Sequence, residues 1–85
     1  MPDSAELRAY RATYAGMDGY YAAASRSRAT AMACRVLEDS GWVRDWRTAL
    51  RGLRVVREPG LDHRAMAPGS IYLSPGDRHD YEAGR

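Results

Sequence analysis

Apolar residues recur every three or four positions over the first 24 residues of this chain. The positions are Leu7, Tyr10, Tyr14, Met17, Tyr21 and Ala24. This spacing is typical of one apolar face of an α-helix. Asp3 and Glu6 lie three residues apart just before the series and form a predicted capping box. The pattern therefore predicts that the chain begins with helical structure.

Two glycines interrupt this helical series. Gly16 and Gly19 each cost up to about 1 kcal/mol relative to alanine inside a helix, and Asp18 between them is a suitable N-cap. We therefore predict two helices, over residues 4–15 and 19–39. A single kinked helix is the alternative, because the apolar spacing continues through the glycines.

The middle of the chain predicts a third helix and then a strand. Ser40-Gly41 is expected to end the second helix, because glycine accepts the left-handed conformation that commonly closes a helix. An apolar seam at helical spacing follows, formed by Val43, Trp46, Leu50 and Leu53. Gly52 is expected to end this helix early, so that residues 53–57, with the β-branched pair Val55-Val56, form a strand.

The sequence of the C-terminal third predicts loops and one further strand. Its three Pro-Gly pairs predict type II turns at residues 59–60, 68–69 and 75–76. Residues 70–74 are expected to pair with residues 53–57.

The predicted fold is α+β and mostly helical, with two to three N-terminal helices followed by a small two-stranded antiparallel sheet. Residues 1–76 are expected to form a single compact domain, and residues 77–85 a polar, mobile tail.

The supply of large apolar side chains limits the core that this chain can form. Of 85 residues, 14 are Ala, while the larger aliphatic residues are six Leu, four Val and one Ile, and Phe is absent. A domain of this size is near the lower limit for a self-sufficient core. We therefore expect a protein partner, or a second copy in a homodimer, to contribute to stability.

No pattern in the sequence predicts catalysis. Because it has no phosphate-binding loop, dinucleotide-binding glycine pattern or nucleophile elbow, we expect a protein that is not an enzyme and holds no metal or cofactor. A metal-dependent enzyme is the less favoured alternative. Its candidate ligands lie in predicted loops without helical spacing, and they are Asp62, His63, Asp77, His79 and Asp80.

The cysteine count and the hydropathy pattern predict a cytoplasmic protein. Cys34 is the single cysteine, which excludes an intrachain disulfide, and it is expected to be a small buried apolar residue. No segment has the pattern of a signal peptide or the length of a membrane span, so we expect no membrane partner.

Arginine and tyrosine provide the candidate binding surface. Guanidinium groups bind carboxylates and phosphates through paired hydrogen bonds, and Arg and Tyr are enriched at binding hot spots. Four arginines follow the apolar seam by one position, which would place them on one helical face: Arg44, Arg47, Arg51 and Arg54. Arg26, Arg28 and Arg35 form a second basic strip. The predicted partner-binding residues are Arg28, Arg35, Arg44, Arg47, Arg51, Arg54, Tyr10 and Tyr14.

The charge distribution favours a protein partner over a nucleic acid. Residues 1–57 hold ten Arg and six acidic residues, whereas residues 58–85 hold three Arg and five acidic residues, for a net charge of +2. This positive charge is modest for a nucleic-acid-binding domain, and the acidic C-terminal part would repel phosphates. We therefore predict docking on another protein, with nucleic-acid binding through the Arg-lined helix as the alternative.

The overall character of the chain resembles a known class of small proteins. The absence of Lys, Asn and Gln beside 13 Arg and 14 Ala is typical of a high-GC bacterium, or of a phage or plasmid within one. A short, Arg- and Tyr-rich chain without catalytic motifs resembles the small inhibitors that phages encode, of which anti-CRISPR proteins are one kind. The resemblance implies a stoichiometric inhibitor of a bacterial defence complex and transfers no individual functional residue.

Overall fold

The computed structural model of the protein describes residues 6–84 and begins with strands rather than helices. β1 (Arg8–Tyr14) and β2 (Met17–Ala23) form an antiparallel hairpin. The two-residue turn between them is Ala15-Gly16, with φ angles of +51° and +80°. Positive φ at both turn residues is the mark of the type I′ turn, whose twist matches that of the two strands.

The hairpin overturns the predicted N-terminal helices. Residues 8–14 are extended, and the helix predicted over residues 19–39 begins only at Arg26. Tyr10, Ala12 and Tyr14 alternate along β1, and the first two are buried in one core cluster. The apolar positions therefore satisfy the two-residue period of a strand as well as the helical spacing. The predicted cap at Asp3 lies outside the described residues.

Six further elements complete the fold. In chain order they are α1 (Arg26–Asp39), α2 (Trp46–Gly52), β3 (Arg54–Arg57), a 3₁₀ helix (Pro59–Arg64), β4 (Gly69–Ser70) and α3 (Pro75–Ala83). The sheet has the order β3-β1-β2-β4, and all neighbouring strands are antiparallel. The prediction of a two-stranded sheet after N-terminal helices is therefore wrong. The segments expected to pair with each other lie at opposite edges of a four-stranded sheet.

α1 ends where the sequence predicted. Gly41 adopts a φ of +80°, its N–H donates to the carbonyl of Glu38 at 3.0 Å, and the Trp42 N–H donates to the carbonyl of Leu37 at 3.0 Å. This pair of hydrogen bonds is the Schellman motif. The prediction that Ser40-Gly41 closes the helix is confirmed.

One layer of the core lies between α1 and the sheet. Ala29 and Ala33 face the sheet from α1 and are almost completely buried. Because their side chains are small, the helix lies close to the strands, and two tyrosines supply most of the bulk. The buried residues of this layer are Tyr10, Ala12, Tyr21, Ala23, Ala29, Ala33 and Val55.

The opposite face of the sheet is covered by the C-terminal segments. Buried Ala9, Tyr20 and Leu61 pack there with residues of the last turns and of α3. Residues 77–83, expected to belong to a polar tail, are part of α3, and Tyr81 of this helix packs edge-on against Tyr20 with ring centroids 6.2 Å apart. Among residues 6–84, none of the helices combines the length and the apolar character that a membrane crossing requires.

Candidate functional site

The predicted arginine stripe is divided between three kinds of local structure. Arg44 lies in the loop before α2, Arg47 and Arg51 lie on α2, and Arg54 is the first residue of β3, where it is paired with Thr13. All four arginines are exposed. Because α2 ends at Gly52, only Arg47 and Arg51 share a helical face.

The other predicted binding residues lie on different surfaces. Arg28 and Arg35 are exposed on α1, and Arg35 forms an ion pair with Asp39 at 3.8 Å. Tyr10 is buried beneath α1 and belongs to the core. Tyr14 is half-buried and packs against a second small cluster, formed around Cys34, Val43 and Ala49. The structure therefore places Tyr10 in the core and Tyr14 beside Gly52 at the end of α2.

An open groove lies between α1 and α2, with a volume of about 590 Å³. Its α2 side is formed by Trp46 and Leu50, which are 50% and 43% exposed. Its α1 side follows the helical repeat, with Ser27, Thr30, Ala31, Cys34, Arg35, Glu38 and Asp39. We call this feature the α1–α2 groove.

The short length of α2 explains why its large apolar residues remain exposed. The Asp45 carboxylate caps the helix by accepting the Thr48 N–H at 2.9 Å, and this hydrogen bond holds the pKa of Asp45 below its ordinary value. The helix has seven residues, of which only Ala49 is buried. Trp46 and Leu50 lie one helical turn apart and flank Ala49 on the side that faces the groove.

Two arginines border the apolar strip of α2. Arg47 and Arg51 each follow a groove residue by one position, so they lie about 100° further around the helix, on the side away from Ala49. The Arg47 guanidinium carbon is 5.3 Å from the centroid of the Trp46 ring, a cation–π contact. Within residues 6–84, neither guanidinium forms a hydrogen bond or an ion pair.

Cys34 lies at the base of the groove and behaves as an apolar residue. It is buried, as the sequence predicted. Burial, and then the nearby charge of Glu38, raise the pKa of its thiol. The thiol is therefore protonated at neutral pH, and it lacks the thiolate character that nucleophilic cysteines require.

A second apolar patch lies on the other side of α1. Met17 of the hairpin, Val36 of α1 and Trp42 are all substantially exposed there and line a smaller pocket of about 200 Å³. Trp42 is 54% exposed, nearly the same as Trp46. Unlike the α1–α2 groove, the lining of this pocket contains no arginine.

The candidate metal ligands of the C-terminal third do not converge. Both carboxylate oxygens of Asp62 accept hydrogen bonds from Arg57, at 2.7 and 2.8 Å, and Asp77 pairs with Arg64 at 3.3 Å. Within the described part of the chain, no three His, Cys, Asp or Glu side chains form a group that could hold a metal ion.

The sequence did not indicate Trp46 and Leu50 as a binding surface. They belong to the predicted apolar seam together with Val43 and Leu53, of which Val43 is buried and Leu53 is half-buried. The available signal was the short distance between the Asp45 cap and Gly52. A helix of two turns has few positions on each face, and in α2 only Ala49 is buried.

Comparison of the chain with protein-family models, with curated proteins and with solved structures finds no match in any of the three.

Proposed function

We propose that this protein is a non-catalytic binding protein that docks on another protein through the α1–α2 groove and the adjoining arginines. One observation carries the proposal: α2 presents a half-exposed tryptophan, Trp46, in contact with a guanidinium that has no acidic partner in residues 6–84. Tryptophan and arginine are among the residue types most enriched at the centres of protein interfaces.

The thin core supports the same proposal. The core layers are built from alanines, tyrosines and few large aliphatic residues, whereas Trp46 and Leu50 remain exposed at the groove. Contact with a partner would remove these side chains from water, at a gain of roughly 25 cal/mol per Å² of apolar surface.

The specific form of the proposal is a stoichiometric inhibitor of the phage-encoded kind, acting on a bacterial defence complex in the cytoplasm. Three features of the chain support it: its small size, an amino-acid composition typical of GC-rich genomes, and an exposed surface of Trp and Arg side chains. The buried free thiol of Cys34 is compatible with a reducing compartment.

Capture from a lysate of a high-GC bacterium tests the docking function. The immobilised protein is compared with Trp46→Ala, and with Trp42→Ala as a control of equal size and exposure on the other side of α1. We expect a single stoichiometric complex that survives gel filtration, is retained by Trp42→Ala and is weakened at least tenfold by Trp46→Ala.

Two results of this experiment would reject the proposal. Equal capture by the wild type and by Trp46→Ala would show that the groove is not the docking surface. Captured material that disappears after nuclease treatment would indicate nucleic-acid binding through the same arginines, with the steep salt dependence that phosphate contacts produce.

A further inference from the structure

The two sides of the α1–α2 groove differ in charge. On α2, Arg47 and Arg51 border the apolar strip without an acidic partner in the described residues. On α1, Arg35 is paired with Asp39 at 3.8 Å, and Glu38 adds a further negative charge to the lining. The α2 border is therefore basic and unpaired, while the α1 border is slightly acidic.

We propose that the groove binds an acidic amphipathic helix of a protein partner, with the apolar face of that helix on Trp46 and Leu50 and its carboxylates against Arg47 and Arg51. This inference rests on the docking function proposed above and names the chemistry of the partner. Helix-in-groove docking is an established mode of recognition between proteins.

The spacing of the groove residues matches a helical ligand. Trp46 and Leu50, and likewise Arg47 and Arg51, are four residues apart, which is about 6 Å along a helix axis. A ligand helix with Leu at intervals of three and four residues, and Glu one position after each Leu, repeats the same spacing. Each guanidinium can then donate paired hydrogen bonds to a carboxylate of the ligand.

The charges of the groove favour an amphipathic helix over a nucleic acid. A nucleic acid carries phosphates along its whole length, so some of them would lie next to Glu38 and Asp39 on the α1 side, which repel them. An amphipathic helix can carry its carboxylates on one side alone, next to Arg47 and Arg51.

The test uses the whole chain and a synthetic peptide of about 18 residues, a length that allows appreciable helix formation. The peptide contains Ala, Gln, Leu and Glu in the amphipathic order described above and carries a fluorescent label for anisotropy measurements. We expect saturable binding that weakens at least about tenfold in Trp46→Ala and in the double variant Arg47→Glu/Arg51→Glu. Raising the salt from about 50 to 300 mM is expected to weaken it several-fold.

Matched controls show whether weaker peptide binding comes from lost contacts in the groove or from the changed net charge of the protein. The double variant Arg26→Glu/Arg64→Glu changes the net charge by the same amount at exposed positions outside the groove lining, and we expect it to bind within about threefold of the wild type. A peptide with Lys in place of Glu is expected to bind Arg47→Glu/Arg51→Glu better than the wild type. Circular dichroism and thermal unfolding confirm that each variant is folded.

The outcomes distinguish the two proposals. If no peptide binding occurs up to about 1 mM, or if the acidic, scrambled and Lys peptides bind equally, the acidic-helix inference is overturned. The docking function would survive that result if lysate capture still depended on Trp46. Tighter binding of a single-stranded oligonucleotide than of the acidic peptide, lost in Arg47→Glu/Arg51→Glu, would also overturn the inference in favour of a nucleic-acid ligand.

Discussion

Asp62 shows how a single side chain joins separate segments of this fold. Its Oδ1 accepts the Ala9 backbone N–H at 2.8 Å, and both of its oxygens accept hydrogen bonds from Arg57. The hydrogen bonds from Arg57, followed by the one from Ala9, hold the pKa of Asp62 well below its ordinary value. The same contact raises the pKa of the Arg57 guanidinium. One carboxylate thus fixes the 3₁₀ helix against β1 and β3.

The first prediction concerns the pH dependence of this contact. Because the pKa of Asp62 is lower in the folded than in the unfolded chain, its ionised form stabilises the fold fully above about pH 4, and this contribution decreases as the pH falls further. Arg57 and Asp62 are 33% and 36% exposed, so solvent screens the pair. We therefore expect Asp62→Asn to lower the unfolding free energy at pH 7 by about 1 kcal/mol.

Urea unfolding of the wild type and of Asp62→Asn between pH 7 and pH 3 checks this expectation. The difference in unfolding free energy between the two proteins should narrow below about pH 4. A difference that is the same at pH 7 and pH 3 would show that the asparagine acts through geometry and not through the lost charge.

At the scale of elements, the β1–β2 hairpin is central to the fold, and it was not predicted from the sequence. Its turn residues, Ala15 and Gly16, both adopt positive φ, but Ala-Gly lacks the Asn or Asp that usually identifies a type I′ turn. Tyr10, Tyr14 and Tyr21 also fit a helical spacing. Because no turn could be recognised, nothing in the sequence favoured a β-hairpin over helices for residues 4–24.

The second prediction follows from the conformation of Ala15. It is the only non-glycine residue with positive φ in the described part of the chain, and alanine adopts this conformation at a cost of roughly 1–2 kcal/mol. Asparagine tolerates it better. We therefore expect Ala15→Asn to stabilise the protein by about 0.5–1 kcal/mol and to raise its melting temperature by a few degrees.

Ala67→Asn is the control for this substitution, because Ala67 is exposed and does not have a positive φ. It should leave the melting temperature nearly unchanged in the same thermal unfolding experiment. A lower melting temperature for Ala15→Asn than for the wild type would contradict the turn conformation described here.

Local signals did locate the elements that carry the proposed site. The Ser40-Gly41 end of α1 was predicted from the glycine, and the structure places α2 and β3 within the segments that the apolar seam and Val55-Val56 indicated. The Pro-Gly pairs were less informative. Of their three glycines only Gly69 has a positive φ, whereas Pro59 and Pro75 begin helices. Proline favours the first turn of a helix as well as a turn.

At the scale of the whole molecule, α3 is held on the sheet mainly by polar contacts. None of its residues is buried, yet the Tyr81 hydroxyl donates to Glu58, a carboxylate that is only 6% exposed and lies 3.3 Å from Arg11. Arg78 of α3 donates to the Asp18 carbonyl at 2.9 Å. Hydrogen bonds from Tyr81 and Arg78 therefore join α3 to the rest of the fold.

The third prediction tests this layer with Tyr81→Phe. The variant keeps the ring packing on Tyr20 but removes a donor to the buried Glu58 carboxylate, so we expect a loss of about 1–2 kcal/mol in unfolding free energy. Hydrogen exchange of the α3 amides should become faster. Tyr72→Phe is the control, because Tyr72 is 77% exposed, and it should change neither quantity. Equal effects of the two variants would show that the Tyr81 hydroxyl does not hold α3.

The candidate site was only partly accessible from sequence, for reasons of packing. Arg47 and Arg51 were identified correctly as exposed neighbours on one helix, because helical spacing determines which residues share a face. Burial is different, since it depends on what packs against that face. Sequence could not show that Ala49 is the buried residue of α2 and that Trp46 is left exposed.

The sequence by itself determined the features that depend on a few neighbouring residues: where α1 ends, the end of the next helix at Gly52, the strand at Val55-Val56, and the small supply of large apolar side chains. Only the tertiary structure decided that residues 8–23 are strands, that β3 and β4 occupy opposite edges, and that Trp46 faces solvent. The physical reason is that helix and strand patterns coincide over short apolar repeats. Strand pairing and helix packing between distant segments then select one of them.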